Sequence, residues 1–157
     1  MNINIRELEK AEIEYVLPLL QKMFVEHDQA EPGFFTPASY SRDQIEIYLN
    51  EALVSKTCKV YVATKDSEIV GTIRASIKEA PSFYKDKWIG YTDDLVVKET
   101  YRRRGIGGEL INKSLEYYKS KGITLIESKI YEFNKPSQAL SEKNGFKKTF
   151  SYFYKRI

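Results

Sequence analysis

The stretch Tyr91–Gly108, Y-T-D-D-L-V-V-K-E-T-Y-R-R-R-G-I-G-G, constrains the fold of this chain more than any other. Its front half reads as a buried strand, with Asp93 and Asp94 standing just before the apolar run Leu95-Val96-Val97. Its back half is an arginine triplet and a glycine-spaced turn that leads into a helix. Ile106, Leu110, Ser114, Leu115 and Tyr118 share one face of that helix, while Glu109, Asn112, Lys113, Glu116 and Lys119 share the other. A strand that passes through a glycine-rich turn into a helix N-terminus makes an anion cradle. The first helical N–H groups have no internal partner, and the helix dipole adds partial positive charge. Gly105, Gly107 and Gly108 let the backbone approach a phosphate closely. Arg102, Arg103 and Arg104 supply further positive charge.

Neither common nucleotide signature is present, since the chain has no G-x-x-x-x-G-K-[ST] and its glycines do not spell G-x-G-x-x-G. They spell R-x-x-G-x-G, Arg102 to Gly107, directly after an apolar strand. This resembles the acetyl-coenzyme A (acetyl-CoA) pyrophosphate loop of the GNAT superfamily of N-acetyltransferases. A second segment, Asn134-Lys-Pro-Ser137-Gln-Ala-Leu140-Ser-Glu-Lys-Asn-Gly145-Phe146, resembles that family's other motif, an asparagine, a short helix and a Gly-Phe that leads onward. The two motifs stand in the family's order. Within the superfamily the chain is most similar to spermidine/spermine-type acetyltransferases, which share the acidic pair before the apolar run and the Asn-x-Pro-Ser segment.

Asn2–Arg6 alternates as a short strand, and Ile13, Leu17, Leu20 and Phe24 mark a helix that Pro18 is expected to kink or divide. Residues 27–40 form a loop too aromatic to be a free linker. Ser41-x-x-Gln44 is a capping box for a helix that presents Ile45, Tyr48, Leu49 and Ala52 on one face. Lys59–Thr64 and Ile69–Lys78 read as paired strands, with Ile69, Gly71, Ile73, Ala75 and Ile77 on one side of the second. Thr124–Tyr131 reads as another strand, Pro136 as the first turn of a short helix, and Phe146–Lys155 as a last strand or strand pair. The order is β-α-α-β-β-β-α-β-α-β. The resemblance implies a GNAT-like α/β (α+β) fold: a mixed, mostly antiparallel sheet of about six to seven strands with helices on both faces, in one domain over residues 1–157.

Composition sets limits on function. A length of 157 residues suits one domain with a real core, and a net charge of +3 does not demand nucleic acid as a partner. The single cysteine, Cys58, excludes an internal disulfide, suits a reducing cytosol and reads as a small buried hydrophobe. No run approaches about 18 apolar residues and no export signal is seen, so the expectation is a cytoplasmic protein without a membrane span. His27, the only histidine, has no second ligand nearby, and no metal site is expected.

The resemblance implies roles for particular positions. Backbone groups of Leu95 and Val97 match those that bond the pantetheine arm. Arg102, Arg103, Arg104, Gly105, Ile106, Gly107 and Gly108 match the pyrophosphate loop, and Asn134, with Ser137 in the same segment, matches the pantetheine-side motif. Asp93 matches the position where many members carry a base. An alkylammonium acceptor must lose a proton before it attacks a thioester, so a base is chemically required. An unshifted aspartate, at about 3.9, is a poor one, so burial or repulsion from Asp94 has to raise it. Many members place a tyrosine acid where this chain has Ser141, and an alcohol is a far weaker acid. Water or one of Tyr84, Tyr131, Tyr152 and Tyr154 can stand in for it. The resulting expectation is acetyl transfer from acetyl-CoA to a primary amine of a polyamine- or diamine-like acceptor, or of a peptide or protein. A homodimer is compatible with it. The rival readings are a non-catalytic CoA-binding module, for which Ser141 argues, and a nucleic-acid binder, which the low charge disfavours.

Overall fold

Alternating residues of one strand set the layers of the molecule, whose computed structural model describes residues 2–157. In β2 (Cys58–Lys65), Cys58, Val60 and Val62 pack among residues of α1 (Ile13–Ala30) and α2 (Arg42–Val54), whereas Tyr61 and Ala63 pack with α3 (Ile106–Ser120). Helices therefore cover both faces, and the central strands are buried on both sides. Leu17 of α1 and Leu110 of α3 anchor the two layers with no exposed surface, each worth about 1.5–3 kcal/mol relative to exposure.

The sheet also contains β1 (Asn4–Glu7), β3 (Glu68–Glu79), β4 (Trp88–Val97) and β5 (Ile126–Ser128), in the order β1-β2-β3-β4-β5. All pairings are antiparallel except β4 with β5, which are parallel. The β2–β3 turn is tight because Asp66 and Ser67 both take positive φ, the backbone sense that suits a two-residue hairpin. The last helix is α4 (Lys135–Lys143).

Several expectations change. Pro18 does not divide α1, which is unbroken; Pro18 and Glu14 both lie on its exposed face, where water can reach the carbonyl that the proline ring leaves unpaired. The register of β2 against β3 slips between Ala63 and Thr64, where Gly71 and Ile69 are successive partners and Val70 is the extra residue. That bulge puts Ile69 in the α1/α2 layer and Ile73, Ala75 and Ile77 in the α3 layer, so Ile69 does not share their face. The described residues form five strands rather than six or seven. Thr124–Tyr131 shrinks to Ile126–Ser128, and Phe146–Lys155 is not a strand. The latter pairs with no strand, although β5 ends the sheet, and residues of both parities stay exposed: Phe150 73%, Tyr152 68% and Phe153 89%. Alternation prepares a strand, but only a partner's N–H and C=O groups make one.

Candidate active site

The site opens where two strands part. β4 and β5 are paired only from Gly90 to Thr92. Gly90 is required there, because a Cβ would stand 2.8 Å from the Tyr118 ring beneath it. From Asp93 onward the β4 edge has no partner on β5, and a cleft of about 200 Å³ lies beside it. Asp93, Asp94 and Leu95 line it from β4, Met23, Phe24 and His27 from α1, and Asn134, Ser137 and Ser141 from α4 and its cap.

A second bulge aims the acids. Thr72 faces Val96 and Arg74 faces Asp93, so Ile73 of β3 is opposed by both Asp94 and Leu95. Asp94 takes φ +51, a left-handed conformation that aspartate tolerates better than most residues. Adjacent strand residues normally point to opposite faces; the bulge lets both carboxylates reach the same cleft.

Asp93 accepts from Arg74 Nη1, at 3.0 Å to Oδ2 and 3.3 Å to Oδ1. The Arg74 guanidinium lies 4.7 Å over the Tyr48 ring, and the Tyr48 hydroxyl donates to Asp94. Burial pushes the Asp93 carboxyl well above the ordinary carboxylate range; the charge of Asp94 adds to this, and Arg74 opposes it. Burial also raises Asp94, outweighing the bond from Tyr48 and the pull of Arg74 and His27. Two carboxylates thus face one guanidinium, and the pair retains a proton to higher pH than either acid does in water. Such a pair can receive a proton from a cationic substrate near neutrality.

The other end of the site is the arginine turn. Arg103 and Gly105 take positive φ, and Gly105 caps α3. The first bond of α3 runs from Glu109 N–H to Gly105 O, so the amides of Ile106, Gly107 and Gly108 have no intrahelical acceptor. Arg102 Nε donates to Val97 O at 2.9 Å, which ties the turn to the end of β4. Gly107 has a packing reason as well, since a Cβ there would come within 2.8 Å of Leu140 of α4. Acetyl-CoA fits this frame: its diphosphate suits the α3 N-terminus, and its extended arm suits the β4 edge that β5 leaves unpaired beyond Thr92.

Asn134 caps α4 by accepting from Ser137 N–H at 3.2 Å, and both line the cleft. Of the four tyrosines considered as acids, Tyr131 alone lines it; burial raises its phenol. Tyr84 packs on Phe83, and Tyr152 and Tyr154 are exposed on the terminal segment. Cys58 is buried, and burial pushes its thiol up, against a nucleophilic role. No group of three metal-ligating side chains is found among the described residues, and none of their helices is long and apolar enough to cross a membrane.

Arg74, Tyr48 and His27 were not foreseen at the site. Arg74 carried a signal, as a lone cation in the apolar run I-V-G-T-I-R-A-S-I. Tyr48 looked like any other residue of an apolar helix face. His27 uses Nδ1 to bond Met23 O at 2.7 Å and is wedged edge-on against Tyr131 and Phe133, both at 5.1 Å.

The family model described as acetyltransferase (GNAT) family matches residues 20–146. No curated protein matches the chain. Among solved structures, the aminoglycoside N-acetyltransferase AAC(6')-Iy in complex with CoA is 21% identical with a TM-score of 0.78, covering 99% of this chain and 95% of its own. A predicted acetyltransferase with acetyl-CoA from Clostridium acetobutylicum is 18% identical with a TM-score of 0.77, covering 99% and 96%. A tetramutant of the BH1408 protein from Bacillus halodurans is 19% identical with a TM-score of 0.83, covering 98% and 99%. At these identities the likeness is one of fold.

Proposed function

The chain belongs to the acetyltransferase (GNAT) family and is an acetyl-CoA-dependent N-acetyltransferase, and on that premise we propose that its acceptor is a small primary amine that arrives as a cation. Asp93, backed by Asp94, receives the ammonium proton. The observation that carries this reading is the half-buried acid pair facing a single guanidinium inside the cleft. Bound acetyl-CoA supplies the electrophilic thioester. The α3 amides with Arg102–Arg104 hold its anionic end, Leu95 and Val97 offer backbone bonds along β4, and Asn134 and Ser137 flank the arm from α4.

Ser141 lines the cleft but is a weak acid, so the departing thiolate takes its proton from water or from Tyr131. A thiol's ordinary pKa of about 8.5 makes this a mild demand at neutral pH. The sequence ranks a polyamine or diamine first as acceptor and a peptide or protein amine second. The solved aminoglycoside acetyltransferases add aminoglycosides to the panel. The reading takes residues 1–157 as one catalytic domain and places it in the cytoplasm, as the lone buried Cys58 suits.

A thiol-release assay comparing primary amines with their hydroxyl isosteres tests the reaction. Turnover with amines, rising with pH as the acid pair and the amine lose protons, is the expected result. Turnover confined to the hydroxyl compounds overturns it.

A further inference from the structure

Resting on that amine-acetylation reading, we propose that the acceptor is a primary monoamine carried on an aromatic or otherwise flat apolar body, held by a collar of rings at the cleft mouth.

The collar comes from two segments remote in sequence. Phe24, His27 and Phe35, at the end of α1 and in the loop after it, line the cleft with Tyr131, which follows β5; Phe34 and Phe133 pack on Tyr131 without lining the cleft themselves. The Tyr131 ring is central. It lies 5.1 Å from His27, 6.1 Å from Phe34, 6.3 Å from Phe35 and 5.8 Å from Phe133, in tilted or edge-on arrangements. Of these, only Phe24 packs against either hydrophobic core. Phe34 and Phe133 keep 40% and 37% of their surface exposed. Loops of this kind are usually polar, so a ring cluster outside the core, at the mouth of an acid-floored cleft, marks a surface built for an apolar or aromatic partner.

Charge narrows the class. Two carboxylates line the cleft, and Arg74 offsets one of them. With both acids ionised, the one remaining negative charge balances one ammonium, and Lys78 is a further cation within reach of Asp93. No third carboxylate lines the cleft among the described residues, and Lys129 does line it. Glu31, which Tyr131 feels electrostatically, lies outside the lining. A second ammonium would therefore meet Lys129 rather than an acid. This moves the polyamine or diamine below a monoamine with a flat apolar body, because edge-on and stacked ring contacts reward the latter.

Calorimetric titration of the CoA-bound protein and initial-rate kinetics, each with 2-phenylethylamine, ethylamine, spermidine and kanamycin, test this. The aryl amine should bind about tenfold or more tightly than ethylamine, as burial of one ring against others implies, and show the highest kcat/KM. Phe35→Ala, at a ring that lines the cleft, should raise KM for the aryl amine several-fold, and Phe133→Ala, at a ring that supports His27 and Tyr131, should raise it less, each with a smaller change for ethylamine than for the aryl amine. Phe133 is exposed enough that its loss should not unfold the chain. Preference for spermidine or kanamycin overturns the collar and keeps the reaction. Tight aryl-amine binding without turnover of any amine keeps the collar and overturns the reaction. Ring variants that affect both monoamines equally also overturn the collar.

Discussion

The two ends of the cleft are built in opposite ways. The anion end is continuous: β4, the arginine turn and the first turn of α3 follow one another in the chain, and their main-chain amides do the work. The acid end is assembled from α1, α2, β3, β4 and the segment after β5, and its side chains do the work. A local, backbone-made site depends on few side chains from elsewhere in the sequence. A site made of side chains from five elements changes with any of them. The cleft joins the two only because β5 stops pairing after Ser128, opposite Thr92.

The largest expected effect separates chemistry from cosubstrate binding. Asp93→Asn should lower kcat by about 10²–10⁴ while the acetyl-CoA dissociation constant changes less than about twofold. The loss should shrink at high pH, where more acceptor is already neutral. Normal turnover in this variant would remove Asp93 from the mechanism. Acetyl-CoA at about 100 times its dissociation constant should stabilise the fold by roughly 2.7 kcal/mol, or about 5–10 °C in melting temperature. An unchanged melting temperature at millimolar acetyl-CoA contradicts binding at the α3 end.

Gly108→Glu makes the converse break. A Cβ at Gly108 comes no closer than 3.7 Å to Asn144, so the chain has room for the change, unlike at Gly107. The added carboxylate should weaken acetyl-CoA affinity by about tenfold or more, since it meets a diphosphate over the same helix end. The acid limb of the pH–rate profile should stay in place. A shifted limb with unaltered affinity would reverse the division of labour.

The smallest effect is expected at Tyr48→Phe. Losing the hydroxyl leaves an acceptor on Asp94 unpaired, at about 1–3 kcal/mol in unfolding free energy. The bond from Tyr48 lowers the Asp94 pKa, so its removal should move the acid limb of kcat/KM to higher pH. A limb that moves to lower pH would show that Tyr48 does not stabilise the charged form.

Legibility followed the same division. The strand, turn and helix from Tyr91 to Tyr118 could be read directly, because apolar periodicity, glycine spacing and charge there are properties of neighbouring residues. Asp93 was legible as a position but not as an environment. Its raised pKa comes from burial and from the charge of Asp94, which the bulge turns toward it, against the opposing pull of Arg74, nineteen residues away. The bulges at Val70 and Asp94 left no mark in the alternation, so Ile69 was assigned to the wrong face. The final segment shows the opposite case: Phe146–Lys155 carries the alternation of a strand and pairs with none.

What the sequence alone determined was the order of elements as far as α4, the arginine- and glycine-rich turn into α3 and the acidic pair before the apolar run. These rest on interactions within a few residues of one another, and a linear reading captures them. What only the tertiary structure decided was the sheet's end at five strands, the parting of β4 and β5, the Arg74–Asp93 and Tyr48–Asp94 pairs, and the convergence of rings from residues 24–35 and 131–133. Burial and charge coupling depend on distance in space, and a chain sets that distance only once its layers have packed.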